Sequence, residues 1–137
     1  MTSSSLLIKN RVEQISLATE AFRLFGNQNS IGADAIYDGE LAIEEIAANI
    51  IFYAYPADGE HQIEFIFGIQ NRELAISVLD DGVPFNPLEV PPPDLTASLE
   101  DRKIGGLGVY LVRTAMDEIA YERKGKQNCL SMKKKLQ

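Results

Sequence analysis

Residues 83–103 cannot form regular helix or a central strand. Pro84, Pro87 and the run Pro91-Pro92-Pro93 fall within them. Each proline fixes its φ and lacks a backbone N–H, which excludes both structures. A segment of about twenty irregular residues inside a compact domain is unusual. It serves either as a functional loop such as a lid or as an idle surface loop. The regular elements must therefore lie on either side of it, within residues 1–82 and 104–137.

Before it, Leu6-Leu7-Ile8-Lys9 reads as a short strand. Val12, Ile15, Ala18, Phe22 and Phe25 recur at helical spacing, so a helix with one buried stripe is expected over 12–25. Gly26-Asn27 is placed to end it. A second helix is expected over 33–53, dense in alanine and isoleucine from Leu41 to Phe52, with Gly39 in its first half and Pro56 beyond its end. Residues 61–70 and 73–79 alternate apolar and polar side chains about a turn at Gln70-Asn71-Arg72, the pattern of a hairpin. After the proline segment, a third helix starts near Gly106. Strands over 118–123 and 129–134 come next, joined by Lys124-Gly125-Lys126. This order predicts one α+β domain over residues 1–137. It is a two-layer α/β sandwich with a mixed, mostly antiparallel sheet and about three helices on one face.

The chain has 137 residues and a net charge of −7, which argues against direct nucleic-acid binding. The charge is uneven: residues 1–100 hold 4 Lys/Arg against 16 Asp/Glu, and residues 101–137 hold 9 against 4. The basic third begins at Arg102 and Lys103. It is either positive charge attending an anion or a solvated surface, and the Lys133-Lys134-Lys135 run reads as the latter. Cys129 is the one cysteine, which fits a reducing cytoplasm and is expected to lie in the core. The N-terminal residues do not resemble a signal peptide, and no stretch is long and apolar enough to span a bilayer. The expected location is cytoplasmic. His61 is expected to be a surface residue.

Three short segments carry the chemistry. Glu45 and Asn49 lie four residues apart, on one face of an otherwise apolar helix. An amide oxygen is a hard ligand suited to magnesium, and a neighbouring carboxylate can take a proton from an attacking hydroxyl. The same pair can also be merely solvent-facing, or the asparagine can be buried and satisfied by backbone. Asp80 ends a strand before Asp81-Gly82. A carboxylate there can accept a hydrogen bond from the amine of adenine, and a glycine lets the ring approach, although Asp-Asp-Gly is also an ordinary turn. Gly105-Gly106-Leu107-Gly108 opens a helix whose N-terminus favours anions. It is neither a P-loop nor the dinucleotide-binding fingerprint. In this order, on helix, strand end and helix start, the three segments describe a nucleotide site.

The set resembles the GHKL, or Bergerat-fold, ATPases, and within them the small bacterial anti-sigma-factor serine kinases. Asp81-Gly82-Val83-Pro84-Phe85-Asn86-Pro87, Gly105–Arg113 and Met116-Asp117-Glu118 are similar to stretches of that branch, and the likeness covers roughly residues 36–134. The resemblance implies that Glu45 is the catalytic base and Asn49 the magnesium ligand. It puts Asp80 on adenine with Gly82 beneath the ring. It puts Gly105, Gly106, Leu107 and Gly108 about the phosphates with Lys103 nearby, and it makes residues 86–104 the ATP lid. It further implies ATP and Mg2+ as cofactors, transfer to a serine of an anti-sigma-factor antagonist, a sigma factor as a second partner, and a homodimer. The chain departs from the branch at Tyr53, where a histidine is frequent, and at Ile104, where some kinases have arginine. It also lacks the superfamily's Gly-Thr pair near Asn128. A non-catalytic ATP-binding switch is the alternative function. A histidine-kinase catalytic domain is a third, disfavoured because the chain lacks room for a dimerising helical hairpin.

Overall fold

The computed structural model describes residues 2–57, 59–89 and 106–137, without the side chains of Gly106 and Leu107. Five strands, β1 (Thr2–Lys9), β2 (Gln62–Gln70), β3 (Glu73–Asp80), β4 (Glu118–Lys124) and β5 (Gln127–Lys135), form one sheet in the order β1-β2-β3-β5-β4. Every pairing is antiparallel, so the expected mixed component is absent from this sheet. Three helices, α1 (Ile15–Gln28), α2 (Ala33–Asn49) and α3 (Gly106–Ala115), complete an α+β fold.

The strands obey the two-residue period. Ile63, Phe65 and Phe67 of β2, Leu74, Ile76 and Val78 of β3, and Leu130 and Met132 of β5 are all buried in one cluster. Phe22 and Phe25 of α1 meet Phe67 with ring centroids 5.2 and 5.9 Å apart. Ala42, Ile43, Ile46 and Ala47 of α2 are fully buried between the sheet layer and its helical neighbours, which is why the centre of α2 is apolar on more than one side. The β2–β3 hairpin turns on Asn71 and Arg72, both at positive φ (52° and 60°), the geometry of a tight turn matched to strand twist.

Two helix ends differ from expectation. Helix α1 runs through Gly26 and Asn27 to Gln28, and Ser30 takes the left-handed conformation at φ 57°. Gly26 is needed for packing instead: a Cβ there would lie 2.9 Å from Cγ1 of Ile36 on α2. Asn29 closes the helix, its side-chain Nδ2 donating to the Phe25 carbonyl at 2.8 Å. The second helix does not continue regularly to Tyr53. After Asn49 it widens into a π-helical turn over Ile50–Ala54. Cys129 also departs from expectation. It is half-buried on the sheet face opposite Leu130 and Met132, outside the core cluster.

Gly39 on α2 faces Phe22 so closely that a Cβ would overlap the ring at Cε2 and Cζ. Helix propensity alone predicts that Gly39→Ala gains about 1 kcal/mol. Overpacking against a fully buried ring costs about 1–3 kcal/mol and outweighs it. Urea unfolding of Gly39→Ala should therefore show a net loss of stability; a gain would contradict this packing.

Candidate nucleotide site

The three chemical segments converge on α2 and its π-helical end. Glu45 is half-buried on α2, whereas its neighbour Glu44 is exposed. The Glu45 carboxylate lies against the first turn of α3: a Cβ on Gly108 would overlap Glu45 Oε2 and stand 2.8 Å from its Cδ. Only a glycine lets that carboxylate and the α3 backbone come so close. Burial pushes the Glu45 carboxyl above the ordinary carboxylate range, and the charge of Glu44 adds to the rise.

Asn49, one turn further along α2, is 6% exposed. Its Nδ2 is buried with no hydrogen-bond partner among the described residues. An unpaired buried amide costs about 1–3 kcal/mol, so native proteins seldom keep one without a ligand, an ion or water to satisfy the group. No group of three or more His, Cys, Asp or Glu among the described residues could hold a metal by itself. The orphaned atom is an N–H donor, which a phosphate oxygen would satisfy; a magnesium ion would instead take the oxygen of the same amide, with its other oxygens from phosphate and water. The orphaned Nδ2 donor fits a phosphate oxygen, and the space beside Gly108 is taken by the Glu45 carboxylate.

Asp80 ends β3 with 3% exposure. Its Oδ1 accepts hydrogen bonds from the Gly82 N–H and from Asn128 Nδ2, both at 2.9 Å. Burial raises the Asp80 carboxyl, and the charge of Asp81 adds to this. The Asn128 and Gly82 hydrogen bonds and the Arg123 charge oppose the rise. Gly82 meets the end of α2: a Cβ would overlap the Ala54 carbonyl oxygen and stand 2.6 Å from the Ala54 Cβ. The Val83 N–H donates to that same carbonyl at 2.8 Å. This contact with Ala54 accounts for the glycine without any appeal to a ligand.

The segment after Gly82 is tied down from two sides. Arg123 on β4 donates to the Gly82 carbonyl at 2.8 Å. Arg113 on α3 donates to the Leu88 carbonyl at 2.8 Å, holding the short 3-10 turn Pro87–Glu89. Tyr53 packs beside Phe85, ring centroids 5.5 Å apart. His61 is half-exposed, stacked on Tyr55 at 4.7 Å, with Nδ1 3.3 Å from Asp81 Oδ1. The Tyr55 hydroxyl donates to the same carboxylate at 2.7 Å. These partners hold the Asp81 carboxyl below its ordinary value.

Among the expected site residues, Glu45 is brought against Gly108, and Asp80 against Gly82. Asn49 stands on the same helix as Glu45. Gly106 and Leu107 lie in the first turn of α3. Lys103 and Gly105, with Arg102, Ile104 and most of the expected lid, fall outside the described residues. Lys134 is more than a solvated tail residue: it pairs with Asp38 at 3.1 Å and donates to the Ala115 carbonyl at the end of α3 at 2.9 Å. A hollow of about 590 Å³ beside the start of α2, lined by Ile31, Asp34, Ile69, Arg72 and Lys135 among others, contains none of the expected site residues. Asn128, Arg123 and Ala54 were not expected. Asn128 could have been found, because it shares the inward phase of Leu130 and Met132, but a strand begun at Cys129 leaves it out.

Replacing Asp80 by Asn removes a buried charge yet keeps an oxygen to accept both hydrogen bonds. Because the folded carboxyl titrates above its unfolded value, its ionised form costs stability above the folded pKa, and acidification through that pKa relieves the cost. Asp80→Asn should thus be more stable than the parent at neutral pH, with the difference shrinking as pH falls. Urea unfolding of both proteins from acidic to neutral pH measures the difference. A difference independent of pH would contradict the buried, ionised Asp80.

Comparison with known proteins agrees with this geometry. Residues 8–134 match the histidine kinase-like ATPase domain model. The chain is similar to serine-protein kinases RsbW of Bacillus: 33% identical over 117 residues to that of B. thuringiensis, spanning 82% of this chain and 72% of the relative. It is 35% identical over the same length to that of B. anthracis. A crystal structure of the RsbU and RsbW domains of a Mycobacterium tuberculosis protein superposes with a TM-score of 0.71, at 13% identity, covering 99% of this chain and 33% of that one. The histidine kinase domain of an Erythrobacter litoralis light-activated kinase superposes at 0.55, at 15% identity, over 91% of this chain and 60% of that one. Such distant structural likeness speaks for the fold alone. With the family match and the Bacillus relatives, it means that this chain belongs to the histidine kinase-like (GHKL) ATPase family, in its anti-sigma-factor serine kinase branch.

Proposed function

We propose that this protein is an ATP-dependent serine/threonine kinase that phosphorylates an anti-sigma-factor antagonist and so regulates a sigma factor or an analogous partner. The contact between the Glu45 carboxylate and Gly108 at the start of α3 carries the reading, because it sets a half-buried carboxylate at a helix N-terminus. Helix N-termini favour phosphate. In this reading the backbone of Gly106, Leu107 and Gly108 receives the phosphates, with Gly105 and Lys103 just before them. Asp80 accepts the adenine amine, and Asn49 would hold magnesium. That ion supplies positive charge against the β- and γ-phosphates. The lid is residues 86–104, and residues 1–137 act as a single domain.

Transfer follows from these positions. The hydroxyl oxygen of the partner's serine attacks the γ-phosphorus, the bond to ADP breaks, and the hydroxyl proton passes to Glu45. A carboxyl raised by burial suits that task, since its pKa moves toward working pH. The names of the Bacillus relatives support serine as acceptor. A homodimer in the cytoplasm is part of the proposal.

The test is transfer of labelled phosphate from ATP to an antagonist domain. Glu45→Ala should slow transfer by about 10²–10⁴-fold, the usual contribution of a general base, with ATP affinity little changed. Gly108→Ala should also slow transfer, since the added methyl displaces the carboxylate, and should weaken ATP binding as well, because Gly108 is among the residues that receive the phosphates in this reading. Unimpaired transfer by Glu45→Ala would remove Glu45 from the chemistry. ATP binding without transfer by the parent protein would favour a non-catalytic switch.

A further inference from the structure

Asn128 lies at the start of β5, directly across from Asp80 in the ladder, and is 3% exposed. Its amide is committed on every side. Nδ2 donates to Asp80 Oδ1 and to the Val83 carbonyl, each at 2.9 Å. Its Oδ1 accepts from the Phe85 N–H at 3.2 Å and from the Tyr121 hydroxyl. One side chain thus joins the end of β3, the segment beyond Gly82, and β4. With the Gly82 N–H also on Oδ1, two donors hold that oxygen of Asp80 inward. Among the described residues Asp80 Oδ2 has no hydrogen-bond partner.

We infer that Asn128 is a positioning residue that sets base selectivity, turning Asp80 so that Oδ2 faces a purine bearing an amino group and disfavours one bearing an oxo group. An ionised carboxylate only accepts hydrogen bonds. The 6-amino group of adenine donates to it, whereas the 6-oxo group of guanine presents a second acceptor and is repelled. Selectivity then depends on the carboxylate being ionised and in this orientation, and Asn128 favours both. Its Nδ2 stabilises the charged form, and its bonds to Val83 and Phe85 fix the adjoining chain. Asp81 and Tyr55 on the near side, His61 beyond them, and Tyr121 and Arg123 from β4 are the other titratable or charged groups around the pair. Arg123 helps Asp80 to ionise and Asp81 opposes it. This inference rests on the reading that Asp80 meets the base.

Asn128→Val and Asn128→Thr have the same shape and differ in one hydroxyl, so their comparison separates donor from packing. In calorimetric titrations with magnesium and either ATP or GTP, Asn128→Val should lose at least about tenfold in ATP affinity and most of its preference over GTP. Asn128→Thr should recover much of both. Asn128→Asp puts a second carboxylate 2.9 Å from Asp80, where the two must share a proton. When protonated it can imitate the lost donor, so its ATP affinity should fall relative to that of the parent as pH rises. Equal behaviour of the Thr and Val variants, with a flat pH profile for Asn128→Asp relative to the parent and an unaltered ATP preference, would overturn the inference alone. Failure of the parent to bind ATP would overturn the nucleotide reading as well.

Discussion

The site depends on two places where glycine lets backbone or carboxylate come closer than any side chain would permit. Glu45 on α2 fits against Gly108 of α3, and Ala54 at the π-helical end of α2 fits against Gly82 after β3. One helix therefore locates both other segments. The contacts are steric, so they leave little latitude: a methyl at Gly82 would strike backbone at Ala54, which has nowhere to move, whereas a methyl at Gly108 would strike the far end of a flexible side chain. The first glycine belongs to the fold, and the second belongs to the placement of the Glu45 carboxylate.

Around these contacts the protein keeps polar groups where an ordinary core would have none. Asp80, Asn128 and Asn49 are all buried. Asn128 is fully paired and Asp80 is paired through Oδ1, which offsets part of the desolvation of a carboxylate. Asn49 Nδ2 has no partner among the described residues. The contrast divides a finished network from an unfinished one. The first holds its geometry without a ligand; in the proposed reading the second would gain an acceptor for its Nδ2 when phosphate binds. The π-helical turn begins one residue after Asn49, and such widenings of a helix often accompany functional sites.

Much of this was legible in the sequence, for physical reasons. Strand alternation in β2 and β3 and the stripe on α1 report on local burial, which a linear pattern records. The placement of Glu45, Asn49 and Asp80 came from the same periodicities. What escaped notice was set by tertiary contact. The end of α1 moved because Gly26 answers to Ile36 on another helix rather than to its own C-terminus. Cys129 fell outside the core because one residue of phase puts it on the other face of β5. The same slip hid Asn128, whose partners lie 43 to 48 residues away in sequence apart from Tyr121. Gly82 was foreseen as a glycine that matters, but its steric reason is Ala54.

The account stands on Asn49 being the unfinished part of a metal–phosphate site. Isothermal titration of ATP into the parent protein and into Asn49→Ala, with and without magnesium, addresses it directly. The account predicts binding by the parent that strengthens with magnesium, and loss of that magnesium-dependent gain, at least about tenfold in affinity or about 1.4 kcal/mol, in Asn49→Ala. Equal, magnesium-dependent binding by both proteins would contradict it.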